Sequence, residues 1–146
     1  MAQGSFGAQV SSWVRETKTR TEFVYRESAQ QVVAVMQTPR GAGGNLRVDT
    51  GFLRASLVAT TGALPVQTTK PDGDGAFSYS PAQISLVIAN AEITDPISIV
   101  YTANYARFRE YGANGQPGDR WVALAAQQWP RIVNEVCAEA QARAGG

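Results

Sequence analysis

The sequence predicts an α+β domain: a long N-terminal helix, a small antiparallel sheet of three to four strands, short connector helices, and a C-terminal helix kinked near Pro130. Three observations lead there. From about Ala8 to Gln37 neither Gly nor Pro interrupts a 3.6-residue rhythm of apolar and small side chains. After Leu57 the rhythm changes to the period of two that marks a half-buried strand. From Asp119 to about Arg143 the helical rhythm returns, broken by Pro130, whose ring and missing N–H disrupt a helix near Gln127. With 146 residues, one core can bury roughly 68–70% of the surface that the unfolded chain exposes, so residues 1–146 are read as a single domain.

Taken in order, residues 1–7 are small and polar and are expected to fray. The first helix carries Val10, Trp13, Val14, Thr17, Thr21, Val24, Tyr25, Ser28, Val32, Val35 and Met36 on one side, with Arg15, Glu16, Lys18, Glu22 and Arg26 on the other. Its length of about 30 residues far exceeds the usual ~11–12, which leaves part of the apolar stripe for another subunit. Pro39 ends it, and Gly41-Ala42-Gly43-Gly44-Asn45 reads as a flexible loop.

The stretch Val48–Leu57 is a capped connector helix. Asp49 or Thr50 is the candidate N-cap. Phe52, Leu53, Ala55 and Leu57 supply apolar bulk, with Leu53 in the core, while Arg54 and Ser56 point elsewhere. Val58–Thr61 opens the strand region. Residues 62–81 are polar and Gly/Pro-rich, and are read as a long protruding loop or hairpin arm of the kind that a partner often orders. Ala82–Ile88 and Ile97–Tyr101 are expected as two further strands around the Asp95-Pro96 turn. Asn104–Gly112 then forms a short helix with Tyr105, Phe108 and Tyr111 on an aromatic face and Gly112 as C-cap. Asp119 is expected to cap the last helix, which turns Trp121, Leu124, Ala125, Gln128, Ile132, Val133, Val136 and Ala140 inward.

Composition removes several classes of function. The chain has no histidine, so the usual general base, zinc ligand and pH switch are all missing. Its single cysteine, Cys137, allows no intrachain disulfide, and among Ile132, Val133 and Val136 it reads as a small apolar filler. Asp72 and Asp74 lack the further ligands of a calcium loop. Gly41–Gly44 follows a helix and lacks the Lys-Ser/Thr of a phosphate loop. No catalytic, cofactor-binding or metal-binding residues are assigned, and no enzyme activity is expected. No apolar run approaches the ~18 residues of a membrane span, and the first residues do not read as a secretory signal. The net charge is +1, divided as +3 over residues 1–60 and −2 over the rest, an asymmetry that head-to-tail self-association can use. Arg40, Arg47 and Arg54 could face nucleic acid, but a near-neutral chain gives that little electrostatic support. The residues alone therefore stop at a small α+β domain suited to an assembly.

Two motifs carry the reading further. Asp49-Thr50-Gly51-Phe52-Leu53-Arg54-Ala55-Ser56-Leu57 resembles the D-T-G-x-L-R-x-S signature of tail-completion proteins from long-tailed bacteriophages. Tyr105-Ala106-Arg107-Phe108-Arg109-Glu110-Tyr111-Gly112 resembles that family's second signature, an aromatic-rich turn ending in Glu-x-Gly. The resemblance spans about residues 8–143, and the order of helix, first motif, strands, second motif and final helix agrees with it. Residues 62–81 belong to neither signature.

The resemblance implies a structural protein of the virion neck, made in the host cytoplasm. It would form a homo-oligomeric ring, with six-fold favoured, that joins the tail to the DNA-filled head beside the neck, tail-terminator or tail proteins. DNA would pass through the channel without sequence-specific binding, and no membrane would be involved. Asp49, Thr50, Gly51, Leu53, Arg54, Ser56, Tyr105, Phe108, Glu110 and Gly112 would be the signature and interface residues. Arg40 and Arg47 could face the channel, and Arg54 is left for Glu110 or a neighbouring subunit, so that Arg54→Glu should impair joining without unfolding the monomer. A tail terminator or head–tail adaptor of the same neck is an alternative, as is a small nucleic-acid-binding module.

Overall fold

An uninterrupted helical pattern needs a start, and Ser5 supplies it: its hydroxyl accepts the Ala8 N–H at 3.1 Å, and helix α1 runs over Phe6–Met36. The expected fraying of residues 6 and 7 is therefore replaced by a capped first turn. The structure, a computed structural model, describes residues 5–73 and 75–145, so Met1–Gly4 and Asp74 lie outside the described residues. Ser28, Ala29, Val33 and Met36 are buried, all in the second half of α1.

The chain leaves α1 through a tight turn. Pro39 and Leu46 form a parallel bridge, Gly44 N–H donates to Pro39 C=O, and a 3-10 turn at Arg40–Ala42 closes the Gly-rich segment. What reads as a flexible loop is thus hydrogen-bonded end to end and delivers a fully buried Leu46 to the core. Helix α2 (Phe52–Ala55) follows, then strand β1 (Leu57–Thr60). β1 pairs antiparallel with β2 (Ser98–Tyr101), Leu57 opposite Tyr101 and Thr60 opposite Ser98.

The α+β class and the long first helix hold, but the expected strand at Ala82–Ile88 does not. That segment is helix α3 (Ala82–Asn90), which buries Ile84 and Ile88, four residues apart, against β1. Its apolar residues fit both periods, and Pro81, with φ −76° and ψ −6°, starts a helix instead of a strand. The place of the missing third strand is partly taken by a side chain. The Gln83 carboxamide accepts the Ala59 N–H at 3.1 Å and donates to the Ala59 C=O at 2.7 Å, so it satisfies both backbone groups as a neighbouring strand would.

Residues 62–81 also fold back onto the body. Thr68 bridges Ala103, with Thr68 N–H donating to Thr102 C=O at 2.7 Å and Asn104 N–H donating to Thr68 C=O at 2.8 Å. Phe77 N–H donates to Thr50 C=O at 2.9 Å. The stretch is therefore a strap tied at two places, not a protruding arm.

After β2 come α4 (Ala106–Tyr111), a two-stranded hairpin of β3 (Gly112–Ala113) with β4 (Gln116–Pro117), α5 (Trp121–Gln127) and α6 (Trp129–Gly145). The break between α5 and α6 at Gln128 is the split that Pro130 imposes. α6 packs along α1, and the core joins Val33, Leu46, Leu53, Leu57, Ala59, Ile84, Ile88 and Trp121. Leu53 is only 6% exposed, so Leu53→Ala should lower unfolding free energy by roughly 2–5 kcal/mol. Urea denaturation with an unchanged m-value would establish that loss.

Candidate functional site

The two signature segments are about fifty residues apart in sequence, yet they line a single depression. Gly51 makes this possible. It sits at φ 88° with a Cβ position already occupied by the Phe77 carbonyl, so no other residue fits without strain. It also serves as the N-cap position of α2, in place of the Asp49 or Thr50 expected there. Thr50 contributes only a long bond of 3.4 Å from the Phe52 N–H to its hydroxyl. The turn aims Phe52 between two rings, edge-on to Phe77 at 5.1 Å and tilted against Tyr105 at 6.1 Å. Ser56 closes α2 by donating its hydroxyl to Leu53 C=O at 2.6 Å, and the Ser56 carbonyl accepts both the Thr102 N–H and the Thr102 hydroxyl.

Arg54 and Glu110 do not pair. The Arg54 Nε donates to the Gln37 carbonyl at 2.9 Å, and its guanidinium lies over the Tyr79 ring at 5.1 Å. Gln37 replies by donating its amide to the Arg54 carbonyl at 2.9 Å. Arg54→Glu would break an internal clasp, so a folded monomer is not its expected outcome. Glu110 is buried, and its carboxylate accepts the Val122 N–H at 3.0 Å and the Ala123 N–H at 2.9 Å. It therefore caps α5 from across the fold, the task expected of Asp119. Arg120 explains the exchange: it stands at φ 55°, a left-handed turn before α5, and Asp119 instead binds Arg40 at 3.0 Å and Arg47 at 2.7 Å. The two arginines considered as channel-facing thus converge on one buried carboxylate, with each about half exposed.

Two adjoining cavities of about 240 and 290 Å³ meet at Arg47, Tyr105 and Arg109. The first reaches along Asp49–Arg54 to Lys70, and the second passes Phe108 and Gly112 to Pro117 and Asp119. Asp49, Thr50, Gly51, Leu53, Arg54, Tyr105, Phe108 and Gly112 all border this groove; Ser56 and Glu110 lie behind it as supports. Burial raises the Tyr105 hydroxyl above the ordinary tyrosine range, an effect that Arg109 opposes. Phe108 and Tyr111 are largely exposed, at 59% and 65%, and Arg120 stacks on Tyr111 at 5.7 Å. Cationic groups beside exposed aromatic rings suit recognition of another surface. Among the described residues, no group of three His, Cys, Asp or Glu is placed to hold a metal ion, and no helix is long and apolar enough to cross a membrane. Comparisons with protein-family models, curated proteins and solved structures returned no match.

Sequence reasoning did not find Lys70 or Arg109 as groove residues, nor Gln37 as the clasp. Arg109 lies inside the second motif and could have been weighed. Lys70 and Gln37 act through contacts that no local spacing announces. Glu110→Ala leaves two buried N–H donors at the start of α5 without their acceptor and should cost about 1–3 kcal/mol. Glu110→Gln retains one acceptor oxygen and should cost less; urea titration of the two variants gives the comparison.

Proposed function

We propose that this chain is a structural protein of the neck of a long-tailed phage, a tail-completion subunit that forms a ring around the DNA channel and joins tail to head. The observation that carries the reading is the shared groove. Two sequence signatures of that family, at residues 49–57 and 105–112, line one surface at Phe52, Tyr105 and Arg109. A pair of motifs that must act together is expected to meet in space, and these do.

Other features agree with an assembly role. Phe108 and Tyr111 beside Arg109 and Arg120 give the groove the aromatic and arginine content of an interface. The net charge of +1, with Arg40 and Arg47 both held by Asp119, limits the phosphate affinity that would retain passing DNA. The same pairing disfavours a nucleic-acid-binding module built on Arg40, Arg47 and Arg54, because Arg54 is also engaged internally.

Deletion of the gene in its parent phage should yield full heads beside separate tails in electron micrographs. Tails of abnormal length would instead assign the subunit to tail termination, and heads that leak DNA would assign it to head–tail adaptation; either would overturn the joining role. Arg109→Glu is the sharper variant. Arg109 lines the groove with no ion pair among the described residues, so reversing its charge should leave the melting temperature unchanged and reduce infectious particles through failed joining. Wild-type yield from that variant would remove the groove from the joint.

A further inference from the structure

The N-terminal half of α1 leaves the body uncovered. Over residues 6–21 only Ser12 is other than exposed, and Phe6, Val10, Trp13 and Val14 are 82%, 42%, 66% and 50% exposed. Those residues continue the face by which α1 meets α6. Val10, Val14, Thr17, Thr21, Val24 and Ser28 alternate at intervals of four and three, the spacing of a helix seam. α6 runs back along this seam only as far as Phe23, where the Arg143 guanidinium lies 5.7 Å from the ring. Beyond that point about 24 Å of helix projects without a neighbour. An isolated helix of this length is marginal in water, and a contiguous exposed apolar face marks an interaction surface.

The same chain carries a surface that fits the projection. At the end of the α1–α6 contact, Arg20, Thr21 and Val24 face Cys137, Ala140 and Gln141 across a mostly apolar groove of about 330 Å³. Small side chains make up its floor, so it has room for an indole, and Arg20 stands at the rim where a guanidinium can stack on one. Trp13 cannot reach the groove of its own chain, because Val24 lies about 16 Å further along the same helix. A second molecule can. The flanks of the projection carry both signs of charge, with Lys18 and Arg26 laddered on Glu22 at 3.9 and 3.5 Å, so two copies can approach without like-charge repulsion along their length.

We infer that a second copy of this chain covers the N-terminal half of α1, with Trp13 of one copy seated in the Arg20–Val24–Cys137–Ala140 groove of the other. The inference rests on the self-assembly part of the reading above and is independent of its virion part. If the contact runs head to tail, each copy offers one projection and one groove, the arrangement that closes rings.

Cys137 provides the test, because it is the only cysteine in the chain and borders the groove. In purified full-length protein, Val10→Cys should form an intermolecular disulfide under mild oxidation, visible on non-reducing gels. Adding Cys137→Ser should abolish it; a crosslink that persists means the projections pair with each other and overturns the groove assignment. A ladder of crosslinked species supports ring closure through this contact. A dimer alone supports the contact and shows that any ring closes elsewhere. Trp13→Glu should raise the self-association constant for dissociation at least about tenfold by analytical ultracentrifugation. Wild-type protein that stays monomeric throughout the micromolar range, or a Trp13→Glu variant that associates as the wild type does, overturns the inference.

Discussion

Much of this structure depends on the carboxamide of Gln37. It is 3% exposed at the C-terminal end of α1, where the helix leaves carbonyls without intrahelical partners. Its amide donates to the Arg54 carbonyl, its own backbone carbonyl accepts the Arg54 Nε, and its side-chain oxygen accepts the Tyr101 hydroxyl at 2.6 Å. Three elements that are distant in sequence, α1, α2 and β2, are thereby fastened at one residue. Burial holds the Tyr101 hydroxyl well above the ordinary tyrosine range, so the bond stays protonated at neutral pH. Its contribution is present below the unfolded value of about 10 and is lost only as pH rises beyond it.

That clasp sets the groove. With Arg54 drawn inward, α2 presents Phe52 to Tyr105 and leaves its outer side to Arg47, Lys70 and Arg109. Glu110 performs the matching service for the second motif by seating α5 against α4, and Asp119 gathers Arg40 and Arg47 at the far end. Buried polar groups of this kind must be satisfied to be tolerated, and each of these is. The body is thus tightly specified around the groove, whereas the projecting half of α1 has no such ties. One molecule combines a fixed recognition surface with an uncovered helix, a division suited to a component that completes itself on assembly.

What could be read in the sequence followed from local physics. The 3.6-residue rhythm defined α1, Pro130 divided the final helices, and the apolar positions of α2 placed Leu53 in the core. Ala82–Ile88 was misread because Ile84, Leu86 and Ile88 satisfy a period of two while Ile84 and Ile88 satisfy a helical turn equally well. The role of Asp119 was misread because a capping residue is expected next to its helix, whereas Glu110 reaches α5 from the preceding element. The groove was half legible: the motifs named Phe52, Tyr105 and Phe108, but not Lys70, which the strap of residues 62–81 carries to the site. Long-range polar bonds such as those of Gln37 and Gln83 leave no periodic trace, since their partners lie 17 to 64 residues away.

The dependence of both motifs on one buried side chain is open to a direct measurement, native-state hydrogen exchange of Gln37→Ala against the wild type. If Gln37 is the fastening, protection should fall together at the amides of Ala55 and Ser56 in α2 and of Thr102 after β2, while the amides of α6 near Ile132 and Val136 keep theirs. Unchanged exchange at Ala55, Ser56 and Thr102 in the variant would contradict the account and show that apolar packing alone holds the groove.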